Sequence, residues 1–395
     1  MPADQRTSDR TALRARARTV GDRMAARAVE GLYETLRSDH ASATQPAAAS
    51  FIASVLALCV HAATAAVAVL GLVVLVRSPS RLLGVAAGTI LLGAAWLTRP
   101  RPAAMPMDVH WVESEPLAAL VGQVASATGA RPPHRIGFDD QLNATYAVVQ
   151  WRRRRVLVIG MPLWESLDPQ ARVSLLAHEM GHAAARDDRH LLLVSTALEA
   201  LREWMRVCRY QTPVRRWDEH LAVRRRTGSL AQLGELLSRA LLGVVGLAPA
   251  AWYGLLLAVT QRSSQRAEYG ADLVAADVAG REATVRALST VMEHDALVAS
   301  MRRTAMRSDR DVLSAVRATG ETLAVTGWPG RRSRPRLGAF DSHPPDQLRR
   351  SLVQSVPVQT CRIVLNNDAA ARIDAGLAGA RAWANRRVYD GFQAR

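Results

Sequence analysis

The stretch DPQARVSLLAHEMGHAAARDD, residues 168 to 188, decides how the rest of this chain is read. Asp168 stands where a helix N-cap belongs, and Pro169 follows at the first helical position, where a missing N–H removes nothing the helix needs. Apolar residues then recur at helical spacing, so the pattern predicts a helix that carries HEMGH, residues 178 to 182. On a helix, positions i and i+4 share a face, and His178 and His182 can therefore offer imidazole nitrogens to one metal ion. Glu179 is rotated from them by one residue. That sets it beside a metal-bound water, outside the ligand set, where it can act as the general base that takes the water's proton. Gly181 permits another backbone to approach, and Leu175, Leu176 and Ala177 supply apolar surroundings.

A catalytic zinc takes a third protein ligand and keeps one position for water. Asp188 has the spacing for it in one known arrangement, but Ala185 replaces the glycine that would turn the chain there. His190 lies too far along a continuous helix to reach the same ion. A better source is SSQRAEYGADLVAADVAG, residues 263 to 280, where Glu268 and Asp272 are again i and i+4 on an expected helix. One carboxylate can bind the metal while the other holds the far nitrogen of a ligating histidine.

Between residue 100 and the motif, NATYAVVQWRRRRVLVIGMPLWESL, residues 143 to 167, alternates around Tyr146, Val148 and Gln150 and again from Val156 to Ile159. Two short strands are expected, with Arg152 to Arg155 at the turn or on a solvated edge.

The chain has 395 residues, enough for a sizeable core without disulfides or a structural metal. Its formal net charge is +16, all from arginine, since the sequence contains no lysine. The arginines are dispersed and aromatic residues make up only 5%, so no nucleic-acid partner is expected. Cys59, Cys208 and Cys361 are far apart and form no metal or disulfide pattern.

Phe51 to Val76 carries no formal charge and is long enough to cross a bilayer as a helix. Leu82 to Leu97, flanked by Arg81 and Arg99, is expected to return the chain, making a transmembrane helical hairpin over 51–98. The arginine-rich segment 1–50 is too long and too charged for a cleaved signal peptide, and its amphipathic pattern over 10–32 belongs on the cytoplasmic side. A third apolar run, Leu241 to Thr260, contains Pro249. Residues binding one ion lie on one side of a membrane, so complete crossings between His182 and Glu268 are even in number. Glu199, Arg202 and Glu203 disfavour a span just after the motif, and the expectation is a buried or half-inserted helix over 241–260, kinked near Pro249.

HEMGH followed by Ala185, Arg186 and Asp187, then EYGAD (268–272), then DSHPPDQLRR (341–350), in that order, resembles the integral-membrane zinc metallopeptidases of the HtpX heat-shock protease and CAAX prenyl protease type. The resemblance spans about residues 100 to 350. It implies a mainly α structure with a small β-sheet (α+β), a zincin-like peptidase domain behind an N-terminal membrane hairpin, and one zinc ion per chain. By resemblance Glu268 is the third zinc ligand and Asp272 supports a ligating histidine. Asn143 and Ala144 begin the strand that pairs with substrate, and His343 and Arg349 help polarise the scissile carbonyl. The family's usual arginine three residues before the ligand glutamate is here Gln265, with Arg266 one step later. Residues 207–239 have no counterpart in the family, and their arginines are expected on a solvated face or against headgroups.

The expected organisation is a cytoplasmic segment 1–50, the hairpin 51–98, a peptidase domain 99–350 with an apolar membrane-associated helix at 241–260, and a C-terminal segment 351–395. The expected function is a multi-pass membrane-bound zinc endopeptidase whose active site faces the cytoplasm and whose partners are polypeptide substrates, membrane proteins among them, and the bilayer. The alternative is a catalytically inactive adaptor or holdase on a protease scaffold.

Overall fold

The computed structural model describes residues 48–150, 152–185, 188–208, 241–307, 309–326, 344–358 and 360–394, with residue 237 and a few positions between 30 and 37. The expected amphipathic helix over 10–32 lies almost wholly outside the described residues, as do most of 207–239 and His343. The chain divides into two units, one of residues 47–103 and 189–262, the other of 1–46, 104–188 and 263–395.

The first unit is helical and apolar. Helix α1 (Ala48–Arg77) and helix α2 (Arg81–Leu97) form the expected hairpin, with the Ser80 hydroxyl capping α2 through the Leu83 N–H. Phe51, Leu58, Val69, Leu82, Leu83 and Ile90 are exposed on it.

The second unit is built around a mixed sheet. Strands β1 (His110–Val112), β2 (Arg135–Asp139), β3 (Ala144–Val149) and β4 (Arg154–Gly160) lie in the order β1-β2-β4-β3. β2 and β4 are parallel, and both outer pairs are antiparallel. Two of these strands match the alternation seen in sequence, while β1 and β2, with few fully buried positions, carry too little pattern to be read there. Gln150 is not in a strand: it and Arg153 both take positive φ, 60° and 50°, and make the turn, while Arg154 and Arg155 enter β4. Val156 to Gly160 are all buried, as befits a strand covered on both faces.

Helix α3 (Glu115–Thr128) buries Leu117, Leu120, Val121 and Val124 on one stripe and ends at Gly129 in the left-handed conformation. Helix α4 (Met161–Ser166) leads to helix α5 (Pro169–Ala185), which carries HEMGH. Asp168 caps α5 as expected, its Oδ1 accepting from Gln170 N at 3.1 Å and Ala171 N at 3.0 Å.

Helix α6 (Asp188–Cys208) and the first half of helix α7 (Leu247–Ala279) return to the apolar unit, where Val194, Ala197, Leu201 and Leu256 pack with Ala53, Ala57 and Val60. Residues 189–262 therefore cluster with the hairpin and not with the peptidase domain drawn over 99–350. The run 241–260 is not buried, as Leu241, Val244, Leu247 and Leu255 are exposed. A helical turn at 241–245 breaks at Gly246 before α7 begins. The break falls where Pro249, lacking an N–H, leaves the carbonyl of residue 245 without its helical donor. From Leu241 to Ala279 the chain is long and apolar enough to cross a membrane, as is Ser50 to Arg77.

From Ser263 onward α7 belongs to the second unit, followed by α8 (Arg281–Met292), α9 (His294–Met306), α10 (Val312–Thr326), α11 (Asp346–Ser355), α12 (Asn367–Gly376) and α13 (Ala378–Gln393). The C-terminal segment 351–395 contributes to the core: Leu365, Ile373, Leu377 and Ala384 pack with Leu117, Phe138, Trp164 and Leu176. Buried charges reinforce this. Arg172, on α5, meets Asp374 at 2.8 Å and donates to the Trp164 carbonyl at 3.0 Å, while Arg317 and Arg381 close on buried Glu165. Gln170 accepts from Leu365 N and donates to the carbonyls of Ala279 and Ile363.

Candidate metal centre

Helices α5 and α7 cross at Gly181. A Cβ there would stand 3.2 Å from the Ala271 Cα and 3.3 Å from the Val274 side chain, so a larger residue would push the two helices apart by a few tenths of an ångström. The crossing brings the HEMGH face of α5 against the Glu268 and Asp272 face of α7. His178, His182 and Glu268 each offer a donor atom, all within 4.8 Å of one another. His178 Nε2 and His182 Nε2 are 3.2 Å apart, His182 Nε2 and Glu268 Oε1 3.3 Å, and His178 Nε2 and Glu268 Oε2 3.7 Å. Donors bound to one tetrahedral zinc at 2.0–2.1 Å stand about 3.3 Å from each other. Two imidazoles and a carboxylate at this spacing fit a zinc ion.

Asp272, 1% exposed, lies behind this set. Its Oδ1 is 2.9 Å from His178 Nδ1, so a proton held there leaves the Nε2 lone pair for a metal. Burial alone would lower the His178 pKa, but the Asp272 hydrogen bond and charge outweigh it and leave the imidazole raised. Arg349, on α11, donates Nε to Asp272 Oδ2 at 2.7 Å and Nη2 to Oδ1 at 2.8 Å, and lies 3.3 Å from Glu268 Oε2. It is itself buried, and the paired carboxylates hold its pKa above the ordinary arginine value despite the burial. Arg349, expected near the scissile carbonyl, pairs here with two carboxylates of the centre. The sequence could place it near the site through the late motif but could not tell a substrate contact from an internal one.

Glu179 is at the edge of the same cluster. The Tyr146 N–H of β3 donates to its Oε2 at 3.2 Å, a contact nothing in the sequence announced. Burial drives the Glu179 carboxyl above the ordinary carboxylate range, against the pull of His178 and the Tyr146 amide. A buried carboxylate with a raised pKa is a stronger base.

Asn143 and Ala144 lie at the start of β3 as expected, though the Asn143 carbonyl is turned inward to accept from Gly160 N at 2.7 Å. Gly160 is obligatory there, because a Cβ would fall 1.8 Å from the Gln141 carbonyl oxygen. Gln265, at the position where arginine was expected, is buried on α7.

A family model described as Peptidase family M48 matches residues 112–356. No curated protein and no solved structure matched this chain.

Proposed function

The chain belongs to peptidase family M48, and from that premise we propose that it is a membrane-embedded zinc endopeptidase that cleaves membrane or membrane-proximal polypeptides. The observation that carries the proposal is the donor triangle of His178, His182 and Glu268 at zinc-ligand spacing, with Glu179 beside it and outside it. A zinc ion held by those three residues supplies Lewis acidity, polarising the scissile carbonyl and acidifying the attacking water.

The chain's own residues do the rest. Glu179, its carboxyl oriented by the Tyr146 amide, takes the proton of the attacking water and delivers it to the leaving amine. Asp272 fixes the His178 ring and Arg349 fixes Asp272, which makes Arg349 a positioning residue. The outward backbone groups of β3 from Ala144 onward hold the substrate as an added strand, with Asn143 at its start. His343 completes the reading as the residue that polarises the carbonyl.

The apolar helices α1 and α2 and the run 241–260 anchor the protein in the bilayer as a multi-pass protein. The arginine-rich residues before α1 favour a cytoplasmic active site.

The test is turnover of an unfolded polypeptide by the full chain in neutral detergent, with metal content measured on the same samples. Wild type should cleave with about one zinc per chain, and Glu179→Gln should lose about 10²–10⁴-fold in kcat while keeping the metal. Unchanged cleavage in Glu179→Gln would remove the proposed mechanism. A zinc-loaded wild type that cleaves nothing would leave the adaptor reading in its place.

A further inference from the structure

The arginines of the β3–β4 turn play no part in the chemistry above, yet they stand at the end of the strand that leads to it. Among the described residues β3 pairs only with β4. The Asn143 carbonyl faces β4, so by the two-residue alternation the N–H and C=O of Ala144, Tyr146 and Val148 point away from it. Tyr146 N–H meets Glu179. A polypeptide laid along this free edge has its reacting bond beside Tyr146 and continues toward Val149, about 10 Å farther on. There the chain turns through Arg152 and Arg153 and enters β4 at Arg154, all three exposed and without a carboxylate partner among the described residues. The Arg153 N–H donates to the Gln150 carbonyl at 3.0 Å, which closes the turn. Residues 128–137 and 148–164 together hold six arginines and one histidine with no aspartate or glutamate. The end of β3 therefore presents uncompensated positive charge in line with the substrate path.

We infer that this arginine turn is a specificity element, selecting substrates with aspartate or glutamate about three to five residues to the N-terminal side of the cleaved bond. The side follows from antiparallel addition, the more stable ladder, which brings the N-terminal part of the substrate to the Val149 end of β3. Arginine suits the task, because its planar donors match a carboxylate and it stays charged at every working pH. The inference rests on the peptidase reading and deepens it.

The experiment uses the full chain in neutral detergent and pairs of quenched fluorescent peptides. The pairs are identical except for two glutamates or two glutamines placed three to five residues before the cleaved bond, with a matched set carrying them after it. Wild type should favour the glutamate peptide about 5- to 20-fold in kcat/KM, chiefly through KM, and only when the acids precede the bond. The preference should shrink in 1 M salt, where the screening length falls to about 3 Å from about 8 Å at 0.15 M. In Arg152→Gln/Arg154→Gln the glutamate-to-glutamine ratio should fall to about one, and in Arg152→Glu/Arg154→Glu it should fall below one. A wild-type ratio near one, a preference only for acids after the bond, or a ratio unmoved by both double variants would overturn the inference while cleavage itself keeps the peptidase reading intact. So would an effect of the variants that is absent in neutral detergent and appears only when the assay is repeated in bilayers of anionic lipid, which would assign the arginines to headgroups. Failure to cleave any peptide strikes the peptidase reading first.

Discussion

Replacing Asp272 with asparagine tests the centre at its most connected point. The carboxylate is 1% exposed and accepts three donors, Arg349 Nε at 2.7 Å, Arg349 Nη2 at 2.8 Å and His178 Nδ1 at 2.9 Å. Asparagine has the shape but only one oxygen, so either its NH₂ faces Arg349 Nε or it faces both Arg349 Nη2 and His178 Nδ1. In each orientation donor meets donor and a buried guanidinium loses its counter-charge. Breaking a buried pair in this way costs 3–5 kcal/mol. Arg349 retains Glu268 at 3.3 Å and Asp346 at 3.6 Å, which puts the expected loss at the low end, about 3 kcal/mol. For a unit of this size that lowers the melting temperature by about 6–12 °C. The metal suffers separately: His178 loses the acceptor that sets its ring, and Arg349, freed from Asp272, draws on the ligand carboxylate of Glu268. A loss of about 10- to 100-fold in zinc affinity is expected. The assay is competition with a zinc chelator, followed by a thermal melt of the same sample. The double replacement Asp272→Leu/Arg349→Leu separates the two effects, because removing both charges restores much of the stability while the zinc affinity stays low. Asp272→Asn with zinc affinity within twofold of wild type and an unchanged melt would refute the reasoning.

Other consequences can be measured directly. His182→Ala and Glu268→Ala should each lose the metal, unlike Glu179→Gln, and full zinc occupancy in either would break the ligand assignment. Asp168 caps α5 and meets Arg286 at 2.8 Å; burial raises its pKa, but Arg286 and the helix N–H groups outweigh that and leave it lowered. A lowered folded pKa means stability present above pH ~4 and lost as the pH falls through the folded value. Asp168→Asn should thus be about 1 kcal/mol less stable at pH 7, with the gap closing below pH ~4 in acid-dependent denaturation; a gap independent of pH would count against the pairing. Asp374→Ala removes the hydrogen-bonded partner of Arg172, which is 4% exposed and keeps only the Trp164 carbonyl and the nearby charge of Glu165, and should cost about 3 kcal/mol in denaturant unfolding, with less than 1 kcal/mol marking the pair as dispensable.

The helix bearing His178 and His182 was legible because cap, proline and apolar spacing all agree over one local stretch. Glu268 and Asp272 could be paired by their spacing, but the placement of Glu268 beside both histidines and of Asp272 behind His178 depends on the contact at Gly181, between residues about 90 positions apart in the chain. Arg349 could be placed near the centre by its motif, but its pairing with Asp272 could not be read there, since an arginine after a loop motif looks the same whatever it meets. The C-terminal segment could be bounded in sequence but given no role, because its contacts are non-local: Asp374 meets Arg172 and Arg381 meets Glu165 across about 200 positions of chain. Strands β1 and β2 are too short and too unevenly buried for alternation to show.

That closure has a consequence in time. Arg172 and Asp374 are 202 residues apart, and Gln170 and Leu365 195. At 5–20 residues per second, a ribosome needs about 10–40 s to deliver the second partner after the first. Throughout that interval the start of the HEMGH helix carries a guanidinium without its hydrogen-bonded carboxylate and a side-chain amide without its contacts to Ile363 and Leu365. The newborn polypeptide thus has a built-in delay, in which the HEMGH helix exists before the C-terminal helices that pack against its start.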